Sequence, residues 1–151
     1  METLVRRLGR IFTLKTENGR RSPSPWTRRK MDRLERTLSD WLENKGWRTP
    51  VRTLSEAAER LGTDTGLLHL YFKQRIGMDF RTWRNRLRLE DAKQMLLEHP
   101  EWQASEIARR TGFSNRSNFA RQFLAYTGST PLQWREAGIS RDIPAPENDY
   151  V

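Results

Sequence analysis

Arg116 and Arg121 stand five residues apart in the stretch "GFSNRSNFARQF" (residues 112–123), and Phe119 and Phe123 stand four apart. On a helix the phenylalanines share one face and the arginines fall off it. A guanidinium presents a fork of donors that suits anions and the O6/N7 edge of guanine. The segment is thus either an ordinary amphipathic helix with a solvated basic face or a probe for something negative. Other chemistry is poorly supplied. The chain has no cysteine, which excludes disulfides and thiolate metal sites. Its two histidines, His69 and His99, make neither a metal site nor a general-base constellation. With no clustered His, Asp and Glu and no glycine-rich phosphate loop, neither an enzyme, a metal nor a cofactor is expected.

The elements that must position those arginines belong to a chain of 151 residues with net charge +9, 31% charged and 35% hydrophobic. This suits one domain, or two very small ones, with a modest core. No run approaches the roughly 18–20 apolar residues of a membrane span, and the N-terminus lacks a signal-peptide apolar region. A cytoplasmic protein that binds something acidic is expected. The charge is uneven. Residues 1–30 hold nine Lys/Arg against two acids, residues 31–138 eighteen against fourteen, and residues 139–151 one against three. A basic N-terminal arm, a mildly basic body and an acidic flexible tail follow, and the binding surface of the body must be a local arrangement.

In the arm, "LVRRLGRIFTL" sets positions 4, 5, 8, 11 and 12 on one helical face, interrupted by Gly9. "SPSPW" (22–26) then reads as an extended linker, because proline disfavours helix in the residue before it. The arm is a flexible basic tail, a DNA-contacting arm, or a helix for a partner or a membrane surface. The body is helical nearly throughout. "MDRLERTLSDWLEN" stripes Met31, Leu34, Leu38, Trp41 and Leu42, ending near Gly46. A second helix, "TLSEAAERLG", starts at Thr53 or Ser55. A third, "TGLLHLYFKQRI", is capped by Asp64 and closed by Gly77. The longest run, 79–99, turns Phe80, Trp83, Leu87, Met95 and Leu96 inward and ends at Pro100. "SEIARRTG", "NRSNFARQFLAYTG" and "TPLQWREAG" complete an all-α body of about seven helices, with Trp41, Trp83, Trp102 and Trp134 at core positions.

An internal repeat sets the architecture. "SEAAERLG" (55–62) matches "SEIARRTG" (105–112), and after one added turn residue "DTGLLHLYFKQRIG" (64–77) matches "NRSNFARQFLAYTG" (115–128). Ala58 pairs with Ala108, Gly62 with Gly112, Leu68 with Phe119, Phe72 with Phe123 and Gly77 with Gly128. In a helix-turn-helix the helices cross closely, so a small residue is wanted at the crossing; four residues later the tight turn favours glycine. Both copies supply that pair, followed by apolar anchors four apart.

Residues 31–136 resemble the DNA-binding domain of the AraC/XylS family of bacterial transcription regulators. The resemblance is carried by "SEAAERLG…LHLYFKQRIGMDF", "RLRLEDAKQMLL" and "SEIARRTGFSN…FARQF…YTGSTPLQWR". It is most specific from Gly112-Phe113-Ser114 through Phe119, Phe123, Tyr126, Gly128, Thr130, Pro131 and Arg135. It implies two helix-turn-helix lobes (about 31–78 and 100–138) joined by a long helix (about 79–99). A helix of about 20 residues spans roughly 30 Å, near the roughly 34 Å between successive major grooves on one face of DNA. It also implies that Arg116, Ser117, Ala120 and Arg121 touch base edges, with Ser114 and Asn115 on phosphate. In the first lobe the register points to Thr65, Gly66, His69 and Leu70 for bases and Lys73 and Arg75 for phosphate. Leu70 stands where the second lobe has Arg121, so the first lobe reads sequence weakly, or spends Leu70 on a thymine methyl or a protein. Two further departures are Arg84, where the family usually has an aliphatic residue, and Leu124-Ala125, where lysines are common. Arg88 matches a family arginine expected to be structural.

The expected function is a sequence-specific regulator that binds double-stranded DNA mainly through its second lobe. The rival is an interaction protein that uses the same scaffold, with Leu67 and Leu70 exposed, to bind RNA polymerase or another regulator. A nonspecific nucleic-acid coat would use the basic arm alone.

Overall fold

A computed structural model describes residues 23–51 and 53–142, and side chains as far as Gly138. The "LVRRLGRIFTL" segment and the tail beyond Asp142 lie outside these. The described residues form seven α-helices and no strand, as the sequence pattern predicts. They fall into two compact units that divide between Leu87 and Arg88.

The first unit opens with α1 (Pro25–Glu43), which starts six residues before the expected stripe. The last two residues of "SPSPW", Pro25 and Trp26, therefore belong to the helix, and Pro23 and Ser24 precede it. Ser24 accepts a hydrogen bond from the Thr27 N–H at 3.2 Å and Pro25 takes the first helical position. Proline's fixed φ and missing N–H suit that position alone, where no intrahelical donor is needed. Lys30 then lies over the Trp26 ring at 3.8 Å, one turn along. A single 3-10 turn (Gly46–Arg48) carries Trp47, buried to 1% exposure and absent from the expected core. Next come α2 (Leu54–Arg60), capped by Thr53, and α3 (Thr65–Tyr71), capped by Asp64. A π-helical turn, Phe72–Ile76, extends α3, and the Gly77 N–H donates to the Phe72 carbonyl at 2.8 Å.

The long helix α4 (Phe80–Glu98) starts in this unit. Its Phe80 and Trp83 join Phe72 and Trp41 in an aromatic cluster, with Trp41 stacked on Trp83 at 5.7 Å and Phe72 edge-on to Trp83 at 5.1 Å. Leu34, Leu38, Ala58 and Leu68 complete that core.

The second unit is built on the other end of α4, from Leu89, Ala92, Met95 and Leu96. Against them pack Ile107 and Ala108 of α5 (Ala104–Arg110) and Phe119 and Phe123 of α6 (Arg116–Thr127), both phenylalanines fully buried. Removing each such ring from water contributes about 1.5–3 kcal/mol. Arg88 and Asp91, three residues apart on α4, are buried too. α7 (Pro131–Asp142) starts with a reciprocal cap, Thr130 N–H to the Gln133 side chain and Gln133 N–H to Thr130 Oγ1. It runs four residues into the segment assigned to the tail. The turns at Gly62 and Gly112 have φ of 63° and 90°, the left-handed conformation for which the repeat placed glycine there.

Candidate nucleic-acid interface

In the second lobe, Phe119 and Phe123 lock one face of α6 into the core, and Arg116, Ser117 and Arg121 are exposed. Ala120 lies among them half-buried. The helix is a regular α-helix over twelve residues. Its entry is capped by Asn115, whose Oδ1 accepts the Asn118 N–H at 2.8 Å. The Asn115 amide Nδ2 donates to Ser114 Oγ at 3.5 Å, and the exposed Ser114 hydroxyl can still donate to a phosphate. Arg121 donates from one Nη to Asn118 Oδ1 at 3.1 Å, and Gln122 donates to the same oxygen at 2.8 Å. Asn118, which pattern reading passed over, thereby orients Arg121; its place one turn before Arg121 was the available signal.

Behind this face, Tyr126 donates to Glu90 Oε1 of α4 at 2.9 Å, and Glu90 is also paired with Lys93 at 3.0 Å. Arg135 donates to the carbonyls of Leu96 (3.2 Å) and Trp102 (2.6 Å). It clamps α7 and the α4–α5 turn together, a structural duty. Arg110 lies over the Trp102 ring at 4.1 Å.

The first lobe presents a different face. Thr65, Gly66, His69, Lys73 and Arg75 are exposed, but Lys73 and Arg75 lie on the π turn beyond α3. Leu67 and Leu70 are half-buried and pack on the first core. They do not form a free apolar face. Arg84 donates from Nη1 to the Val51 carbonyl at 3.0 Å. Burial, and the nearby charge of Arg81, hold its guanidinium below its ordinary pKa.

The lobes also differ in charge at matching positions. Residues 53–77 hold three acids (Glu56, Glu59, Asp64) and three bases (Arg60, Lys73, Arg75). Residues 103–128 hold one acid, Glu106, against Arg109, Arg110, Arg116 and Arg121. Glu106 is bonded by Arg109 (2.7 Å) and Arg110 (2.6 Å), and those hydrogen bonds pull its carboxyl down to about 2. At the reading-helix entries, carboxylate Asp64 stands in the first lobe and neutral Asn115 in the second. A basic helix with a neutral entry suits a polyanion; an acidic entry opposes one.

Comparison with known proteins agrees with this geometry. Residues 57–137 match the profile of a helix-turn-helix domain family. An uncharacterised helix-turn-helix-type transcriptional regulator of Staphylococcus aureus is 32% identical over 100 residues, which cover 65% of this chain and 13% of that protein. The helix-turn-helix-type transcriptional activator RhaR of Salmonella dublin is 28% identical over 134 residues, 87% of this chain and 45% of RhaR. This chain thus spans less than half the length of either. Among solved structures, the C-terminal domain of the two-component response regulator yesN from Fusobacterium nucleatum superimposes with a TM-score of 0.59 at 31% identity, covering 67% of this chain and 97% of that domain. No helix among the described residues is long and apolar enough to cross a membrane. By the profile match over more than half its length, the repeated helix-turn-helix and these relatives, the chain belongs to the AraC-type helix-turn-helix family.

Proposed function

We propose that the chain is a sequence-specific DNA-binding transcription regulator in which α6 supplies most of the base readout. The observation that carries this is that Arg116 and Arg121 are both exposed on one unbroken helix whose core face is fixed by Phe119 and Phe123. Base discrimination needs a donor fork held in place, and Asn118 holds Arg121. Ser117 and Ala120 lie between the arginines, where a hydroxyl and a methyl can meet adjacent bases. The first lobe contributes His69 and Thr65 at base positions and Lys73 with Arg75 toward the backbone, with Gly66 adding no side chain. The rival reading, a scaffold that binds RNA polymerase or another regulator through Leu67 and Leu70, loses support because both leucines pack on their own core.

Selection of bound sequences from a random DNA pool tests the proposal. Enrichment of one motif, with binding to random DNA weaker and steeply salt-dependent, is the expected result. A pool that stays random would replace it with the interaction-protein reading.

A further inference from the structure

The first unit contains a cavity of about 440 Å³, and His69 is the proposed DNA contact that borders it. Its position is set by three elements: the start of α2, the middle of α3 and the first turn of α4. Val51, Leu54, Phe72 and Phe80 give it an apolar wall. Arg81 and Arg84 give it positive charge. The space lies in the range of small-molecule sites, roughly 300–1,000 Å³, which combine apolar walls with a few placed polar groups.

Of the two, Arg84 is incompletely satisfied. Arg84 spends Nη1 on the Val51 carbonyl, and its Nε is buried without a hydrogen-bond partner. Its guanidinium sits 5.8 Å from the centre of the Phe80 ring. A buried donor left unmade is costly, and a charged one more so. The carboxylates nearby are otherwise engaged. Asp79, which also lines the cavity, accepts the Thr82 N–H (2.9 Å) and the Thr82 hydroxyl (2.8 Å). Glu56 attracts Arg84 from a distance but is paired with Arg60 at 3.1 Å. Arg84 thus keeps a buried donor unmet beside the repelling charge of Arg81, while the Asp79 carboxylate is taken by Thr82.

We propose that this cavity binds a small organic acid, its carboxylate held by Arg84 and Arg81 and its apolar body laid between Leu54, Phe72 and Phe80. A phosphate of the DNA backbone fits less well, because it has nothing to place against the apolar wall. His69 borders the same cavity. If His69 reads DNA as proposed above, an occupant that engages it takes it from the groove, so the acid weakens the contribution of the first lobe to binding.

The test uses 2-naphthoate as the probe, with neutral 2-naphthamide and inorganic phosphate as controls, titrated calorimetrically into the full chain without DNA. Naphthoate should bind and naphthamide and phosphate should not. Arg84→Met, which keeps the stem and removes the charge, should weaken naphthoate about tenfold or more, as loss of a charged hydrogen bond does. Arg81→Gln should weaken it less. Circular dichroism checks the Met variant; if it is unfolded, Arg84→Lys replaces it and should bind naphthoate more weakly than the parent. Equal binding of acid and amide, or an unchanged affinity in the arginine variants, overturns the proposal. Phosphate binding as well as naphthoate, together with a flatter salt dependence of DNA binding in Arg84→Met, assigns the cavity to the DNA backbone instead. A second arm, naphthoate added to the complex with a selected DNA site, tests only the coupling through His69. The calorimetry stands whatever the DNA result.

Discussion

The two lobes are copies of one design that the surrounding residues have pulled apart. Both cross an alanine against a partner helix, turn on a positive-φ glycine and pin the second helix with apolar residues four apart. In the second lobe the outward positions hold Arg116 and Arg121, the cap is a neutral asparagine and four bases face one acid. In the first the matching positions hold Thr65 and Leu70, the cap is a carboxylate, and acids balance bases. Its helix also widens into a π turn at Phe72–Ile76, which carries Lys73 and Arg75 away from the α-helical register. Apolar anchors set whether a lobe folds, and the outward residues set what it reads. The two can diverge because they occupy opposite faces of the same helix.

The largest effect that can break this contrast comes from the anchors. Phe123→Ala should cost about 3–5 kcal/mol of stability and remove sequence preference. Phe72→Ala, of similar cost, should leave a preference at the bases read by α6. Denaturant melts and binding measured well below each transition check this; equal loss of preference in both variants breaks the contrast.

Arg121→Ala comes next. It should cost roughly 1–3 kcal/mol on a selected site and relax preference at one base pair. An equal loss on selected and random DNA would demote Arg121 to a phosphate contact. Leu70→Arg is the converse. It should raise affinity on sites with guanine at the matching position, less the packing lost where Leu70 lies on the core. No change on any DNA would mean the first lobe is not docked.

A smaller effect isolates the caps. Asp and Asn cap helices about equally well, so Asp64→Asn should leave thermal stability almost unchanged and raise DNA affinity a few-fold at low salt. Asn115→Asp should do the opposite. A salt-independent change would point to altered helix geometry rather than charge.

The smallest effect concerns acid. The carboxyl of Glu106 is held down to about 2 in the folded chain by Arg109 and Arg110. A depressed carboxyl adds stability above its unfolded pKa and loses it as pH falls through the folded value. Between the ordinary glutamate range and about pH 2 the parent should therefore lose slightly more stability than Glu106→Gln. The three side chains lie at the surface, so the difference should be small and shrink further in salt. Melting temperatures of both proteins across that window measure it.

Much of this chain was legible in its sequence, because the signals are local. Helical periodicity named Leu34, Leu38, Phe80, Trp83 and Leu87 as core; the repeat gave the two helix-turn-helix units; and Asp64, with Thr53 as one of two candidates, marked helix starts, since a cap is decided by bonds within one turn. Local signals also misled. Proline at position 25 marked a linker by rule, yet the same ring suits the first residue of a helix once Ser24 and the packing of α1 select it. What only the tertiary structure decided depends on residues far apart in the chain. Trp47 became core because a 3-10 turn set it against α1, and Leu70 is half-buried because it packs against the first core. The Arg81–Arg84 cavity exists because α2, α3 and α4 meet around it, and no periodicity encodes the space between three helices.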